Sequence, residues 1–210
     1  MDVAFELPWP WGGEWFELQG IAPLNYIIGS LGSGKTRLAR RLAQALPQAV
    51  FLGLARLDGA GAAAQAQLAG DAALHARVQR TLDWLVDDGA TRSGALLALL
   101  AGLERDGTGA VVVDMVEQDL DAATQQALIA HLRQRAQTRD TPPLFLMTRS
   151  CAILDLTAVG PGEAIILCPA NHSPPTRVAP FSGAAGYEAV ATCLASPAVR
   201  ARIAHDPGPH

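Results

Sequence analysis

Residues 27–39, IIGSLGSGKTRLA, set Gly29-x-x-x-x-Gly34-Lys35-Thr36 between an apolar run and an amphipathic segment. Few short patterns constrain a fold as tightly, because this loop works only where a buried strand delivers it and a helix leaves from it. The preceding run LNYIIG, residues 24–29, is short, apolar and ends in glycine, as a buried strand does. Over 36–46, Leu38, Leu42 and Leu46 share one helical face, and Pro47 stops the helix. With those flanks the glycines let the backbone curl until several N–H groups point at one set of phosphate oxygens. Lys35 is expected to reach the outer phosphates and Thr36 to place its hydroxyl on a magnesium ion. The candidate nucleotide-binding set is therefore Gly29, Ser30, Leu31, Gly32, Ser33, Gly34, Lys35, Thr36 and Arg37. Lys35 is also the only lysine in the chain; the other fifteen of its sixteen basic residues are arginines. A chain that otherwise spells positive charge as Arg uses Lys where a compact ammonium must fit among phosphates.

The rest of the chain alternates in the same way. AVFLGLA at 49–55 reads as a second strand, and helices are expected over 71–85 and 93–104. A strand follows at 109–114, and Asp121 caps a helix running to about residue 136. LFLMT at 144–148 and AIILC at 164–168 are two more buried strands, and Ser196-Pro197 opens a short terminal helix. The Ala/Gly/Gln stretch 59–70 has low complexity and reads as a mobile or weakly structured connection. Strands alternating with helices imply an α/β fold with a mostly parallel sheet covered on both faces, here as one domain over 1–210. The aromatic opening, with Trp9, Trp11, Trp15 and Phe16 among prolines and glycines, reads as a small N-terminal β element. Its rings either stack a base or seal one edge of a sheet.

Composition narrows the function classes. Half of the 210 residues are hydrophobic and 17% are charged, which is a globular balance. A net charge of −4 with no basic block gives no indication of a general nucleic-acid surface. Cys151, Cys168 and Cys193 lack metal-ligand spacing and read as buried free thiols in a reducing compartment. The longest apolar run, 95–103, is about half of what a bilayer span needs. No transmembrane segment and a cytoplasmic location are expected.

VVVD at 111–114 would deliver Asp114 to the magnesium ion at the end of a buried strand. With Asp114, Leu120 and Asp121 in frame, the chain resembles the ABC-type P-loop ATPases, especially the compact SMC/RecF-like group. The fold implied is that of a P-loop NTPase of ABC/RecA-like type. In that family the strand aspartate is usually followed by Glu-Pro, whereas Met115 and Val116 stand here. Ser93-Gly94, ahead of a Leu-rich helix, sits where the family has its Ser-Gly signature, and equally suits a plain helix cap. Arg149 occupies the slot of the family's switch histidine; a guanidinium neutralises a γ-phosphate but is a poor proton relay. The family's glutamine after the second strand has only Gln65 and Gln67 as candidates.

A thioether cannot accept a proton from water, so Met115 is not a base. Glu117, two residues on, is the candidate for that role, or a partner supplies it. The resemblance implies ATP and magnesium as cofactors, with Lys35, Asp114, Glu117 and Arg149 as the catalytic candidates and Thr36 with Asp114 as the metal candidates. It also implies a protein partner or an ATP-dependent homodimer, and slow or partner-stimulated hydrolysis. The alternatives are a non-hydrolysing nucleotide-dependent module and, ranked last for want of an arginine-rich lid, a small-molecule kinase.

Overall fold

The computed structural model describes residues 1–138 and 141–195. The chain opens with two short antiparallel strands, β1 (Val3–Glu6) and β2 (Trp15–Leu18), paired from Val3 against Leu18 to Glu6 against Trp15. Then come β3 (Leu24–Ile28), helix α1 (Lys35–Ala45) and β4 (Ala49–Leu52). A 3-10 segment, Leu54–Gly61, leads into α2 (Ala62–Gly70), α3 (Ala72–Asp87) and α4 (Gly94–Leu103). The second half alternates β5 (Ala110–Val113), α5 (Ala122–Arg135), β6 (Leu144–Met147) and β7 (Glu163–Leu167). It ends with β8 (Thr176–Val178) and α6 (Tyr187–Leu194).

Strands β3 to β8 form one sheet in the order β4-β5-β6-β3-β7-β8, parallel except for the β7–β8 pair. Period-2 alternation divides each central strand between two cores. Leu24, Tyr26 and Ile28 of β3 face a large core with α2 to α6, joined by Val111 and Val113 of β5 and Leu144 and Leu146 of β6. Ile27, Val112, Phe145 and Ile166 point the other way, into a smaller core with α1 and the β1–β2 element. Both faces are therefore covered, which is why these strands read as continuous apolar runs.

The helix starts follow local capping chemistry. Asp71 accepts from the Leu74 amide at 2.9 Å, Ser93 from Leu96 at 3.1 Å and Asp121 from Thr124 at 2.7 Å. Two expectations are corrected. Residues 62–70 are a helix and not a loose connection, because Ala64 and Leu68 lie one turn apart and bury against α4. Of the three cysteines, Cys168 is buried, Cys193 half-buried and Cys151 exposed, so the reading of buried thiols fails at Cys151. The expected helix after Ser196-Pro197 lies outside the described residues. Among the described residues no helix is long and apolar enough to cross a membrane.

Candidate functional site

The loop joining β3 to α1 is shaped by its glycines. A Cβ on Gly29 would stand 2.5 Å from both the Cys168 carbonyl and Ser33 Oγ, so no larger residue fits between β3 and β7 there. Gly34 has φ of 92°, and a Cβ on it would meet the Trp11 ring at 2.5 Å. Trp11 is buried and held in place by its indole N–H, which donates to the Ser173 carbonyl at 3.1 Å. The helix that follows has neither a side-chain cap bond nor an acidic residue in its first turn. The Arg37 amide donates to the Gly34 carbonyl at 2.9 Å, and the N–H groups ahead of it, with the positive end of the helix dipole, remain available to an anion.

Lys35 lies in this turn, only 8% exposed, with Nζ donating to the Gly29 carbonyl at 2.6 Å and the Ser30 carbonyl at 2.7 Å. Burial lowers its pKa, and the neighbouring Arg149 charge adds to that. Thr36 Oγ1 donates to Asp114 Oδ2 at 3.3 Å, bringing the helix start and the end of β5 together. Asp114 is 6% exposed, and desolvation raises its pKa although the Thr36 bond and the Arg56 and Lys35 charges oppose the shift.

A cleft of about 500 Å³ opens over these groups, with Lys35, Thr36, Asp114, Met115 and Arg149 in its wall. Met115 is half-buried, holds φ of 47° and lines the cleft, while Val116 is buried in the core. Trp9 forms part of the rim, 69% exposed, with the Arg37 guanidinium 4.3 Å from its ring centroid. The aromatic segment thus divides: Phe5, Trp11 and Phe16 seal the smaller core, and Trp9 stays open beside the loop.

Other sequence candidates fall at varying distance from the cleft. Glu117 turns toward β6, where its Oε1 accepts from the Arg149 amide at 2.8 Å and its Oε2 is buried without a partner. It is Gln118, not Glu117, that borders the cleft. Ser93 spends its hydroxyl on capping α4, and Gly94 packs so closely on the 3-10 segment that a Cβ would meet the Ala60 carbonyl at 2.4 Å. Gln65 and Gln67 lie on exposed positions of α2. Two contacts escaped sequence reading. His172 Nε2, in the segment after β7, lies 3.1 Å from the Gly32 carbonyl of the loop between β3 and α1. Arg56, in the 3-10 segment, bonds to the backbone carbonyls of Asp114 and Met115. Both involve main-chain carbonyls distant in sequence, which leave no pattern among side chains.

The fit to a nucleotide and a divalent ion is good on chemical grounds. The cradle closes where a Cβ would intrude, and an ammonium is stored on loop carbonyls that it can exchange for phosphate oxygens. A hydroxyl and a carboxylate, both hard oxygen donors, stand side by side, and magnesium is commonly bound through one or two such groups plus phosphates and water. Among the described residues no group of three or more His, Cys, Asp or Glu side chains forms a metal cage on its own.

In fold, the mostly parallel six-stranded sheet flanked by helices, with its small antiparallel N-terminal sheet, matches solved ABC and SMC ATPase structures. No family model matches the chain, and no curated protein matches it in sequence. Solved structures do. An ABC transporter of metal-chelate type in an inward-facing conformation matches with TM-score 0.56 at 14% identity, over 85% of this chain and 83% of that one. The SMC head domain from Thermotoga maritima matches with TM-score 0.52 at 10% identity, over 79% of this chain and 93% of that one.

Proposed function

We propose that this chain binds ATP with magnesium and hydrolyses it slowly, or at a useful rate only when a partner engages it. One observation carries the reading: Lys35, Thr36 and Asp114, far apart in sequence, meet in one cleft at the head of α1. In the bound state Lys35 would leave the Gly29 and Ser30 carbonyls for the outer phosphates. Thr36 and Asp114 would hold the magnesium ion, whose role is to neutralise charge on the phosphates. Arg149 adds a fixed positive charge on the same side. Trp9 offers an open aromatic face for the base.

Slow turnover follows from Met115, which stands at the cleft where a proton acceptor belongs. Glu117 would have to give up its bond to the Arg149 amide before serving as a base. Phosphoryl transfer depends mainly on positioning and charge neutralisation, so hydrolysis is slowed rather than abolished. Met115 also favours a second reading, a non-hydrolysing module in which ATP stabilises a shape that a protein partner, or a second copy of this chain, recognises.

Steady-state phosphate release at saturating ATP and magnesium separates the two, with light scattering in a slowly hydrolysed analogue beside it. Measurable multiple turnover that Lys35→Ala abolishes supports the ATPase. Nucleotide-dependent association without turnover favours the module, and absence of any nucleotide effect overturns both.

A further inference from the structure

Strands β4 and β5 end side by side, with Leu52 paired to Val113 and the Asp114 amide donating to the Leu52 carbonyl at 2.9 Å. At this corner a single guanidinium gathers the carbonyls of both strand ends. Arg56 Nη1 donates to Leu52 O at 3.3 Å, Gly53 O at 3.0 Å and Asp114 O at 2.8 Å, and Nη2 donates to Met115 O at 2.7 Å. The group is half-buried and its Nε has no acceptor, so the side chain is committed to this corner by its outer nitrogens. Asp114, Glu117 and Asp119 surround it with negative charge.

The carbonyl that Nη2 holds belongs to the residue in the least comfortable backbone conformation of the cleft. Met115 has φ of 47°, the left-handed region that a side chain with a Cβ rarely adopts. Such a conformation persists only where its surroundings over-determine it. Here the determinants are Arg56 on the Met115 carbonyl, the Gln118 amide on that same carbonyl at 3.0 Å, and the Val116 amide on Met147 O at 3.0 Å. Asp114 shares this turn, so the direction of its carboxylate toward Thr36 depends on the turn being held.

We propose that Arg56 is a positioning residue: its planar fork fixes the Asp114–Met115 turn so that the Asp114 carboxylate stands beside the Thr36 hydroxyl, ready for magnesium. The inference rests on reading the cleft as an ATP–magnesium site. A lysine would keep the charge, but its point-like ammonium cannot span carbonyls from two strands as a rigid fork does. Arg56→Lys therefore isolates geometry from charge.

The test is titration of a fluorescent ATP analogue, with excess chelator and with saturating magnesium, against wild type, Arg56→Lys and Arg56→Gln, with melting curves beside each. Arg56→Lys is expected to bind as wild type without magnesium and to lose roughly tenfold of the magnesium-dependent gain, as removal of groups supporting metal ligands commonly does. In an Asp114→Asn background the same substitution should change nothing further. Wild-type protein that binds no nucleotide overturns the ATP reading itself. Wild type with a magnesium gain that Arg56→Lys keeps in full overturns only the role of Arg56. If Arg56→Lys does not fold, Arg56→Gln carries the comparison. Failure of both to fold overturns the proposal in favour of a purely structural brace.

Discussion

Replacing Met115 with glutamate puts a carboxylate in the wall of the cleft that Lys35 and Asp114 also line, the slot proposed to face the attacking water. The backbone cost of φ near 47° is common to both side chains and cancels in the comparison. Because residue 115 is half-buried and faces the cleft, the new carboxylate keeps access to water. It thereby escapes the penalty of several kcal/mol for an unpaired charge sealed in a core. A destabilisation of about 1 kcal/mol is expected, from repulsion by Asp114, and corresponds to a melting shift of roughly 2–4 °C in a chain of this size. Positioned base catalysis contributes on the order of 10²-fold, equivalent to about 2.7 kcal/mol of barrier. Steady-state phosphate release should therefore rise by about that factor with ATP affinity little changed. Glu117→Gln in the wild-type background completes the test: loss of residual turnover would identify Glu117 as the base that Met115 displaced. A Met115→Glu protein that melts more than about 10 °C lower with no gain in rate would refute the reasoning, since that shift requires a buried slot.

Two further outcomes follow from the cleft. Trp9→Ala should weaken ATP binding roughly tenfold, in the range for loss of one base–aromatic stack, without lowering the melting temperature; unchanged affinity would leave Trp9 as a surface residue. Asp114→Asn should abolish the magnesium dependence of nucleotide binding and stabilise the nucleotide-free protein at neutral pH. The sign follows from burial, which raises the Asp114 pKa above the ordinary 3.8. A raised carboxylate pKa favours folding below the unfolded value and opposes it once pH exceeds the folded one. The stabilising effect of asparagine should therefore fade on acidification, and a melting-temperature gain that is flat with pH would contradict it.

How much of this was legible in the sequence depended on the range over which each feature is encoded. The glycine-rich loop between β3 and α1, the strand leading to Asp114 and the caps Ser93 and Asp121 are written within a few neighbouring residues, and each element stands where it was expected. The helix at 62–70 was missed because only Ala64 and Leu68 face the core in a stretch whose composition resembles a linker. Strand β8 has three residues flanked by prolines and pairs antiparallel to an otherwise parallel sheet, which no periodicity announces. The role of Arg56 was invisible because two of its four acceptors are carbonyls of residues 114 and 115, brought to it only by the β4–β5 pairing. The positive φ of Met115 was hidden for the same reason: the sequence shows that a methionine stands after Asp114, and only the fold shows which way it turns.

Nucleotide binding at this cleft depends on Lys35 meeting phosphates. Equilibrium titration of a fluorescent ATP analogue against wild type and Lys35→Ala, each checked for an unchanged melting profile, tests that claim directly. Saturable, magnesium-enhanced binding by the wild type and loss of that binding in the variant are expected. Equal affinities in two folded proteins, or no binding by either, would contradict it.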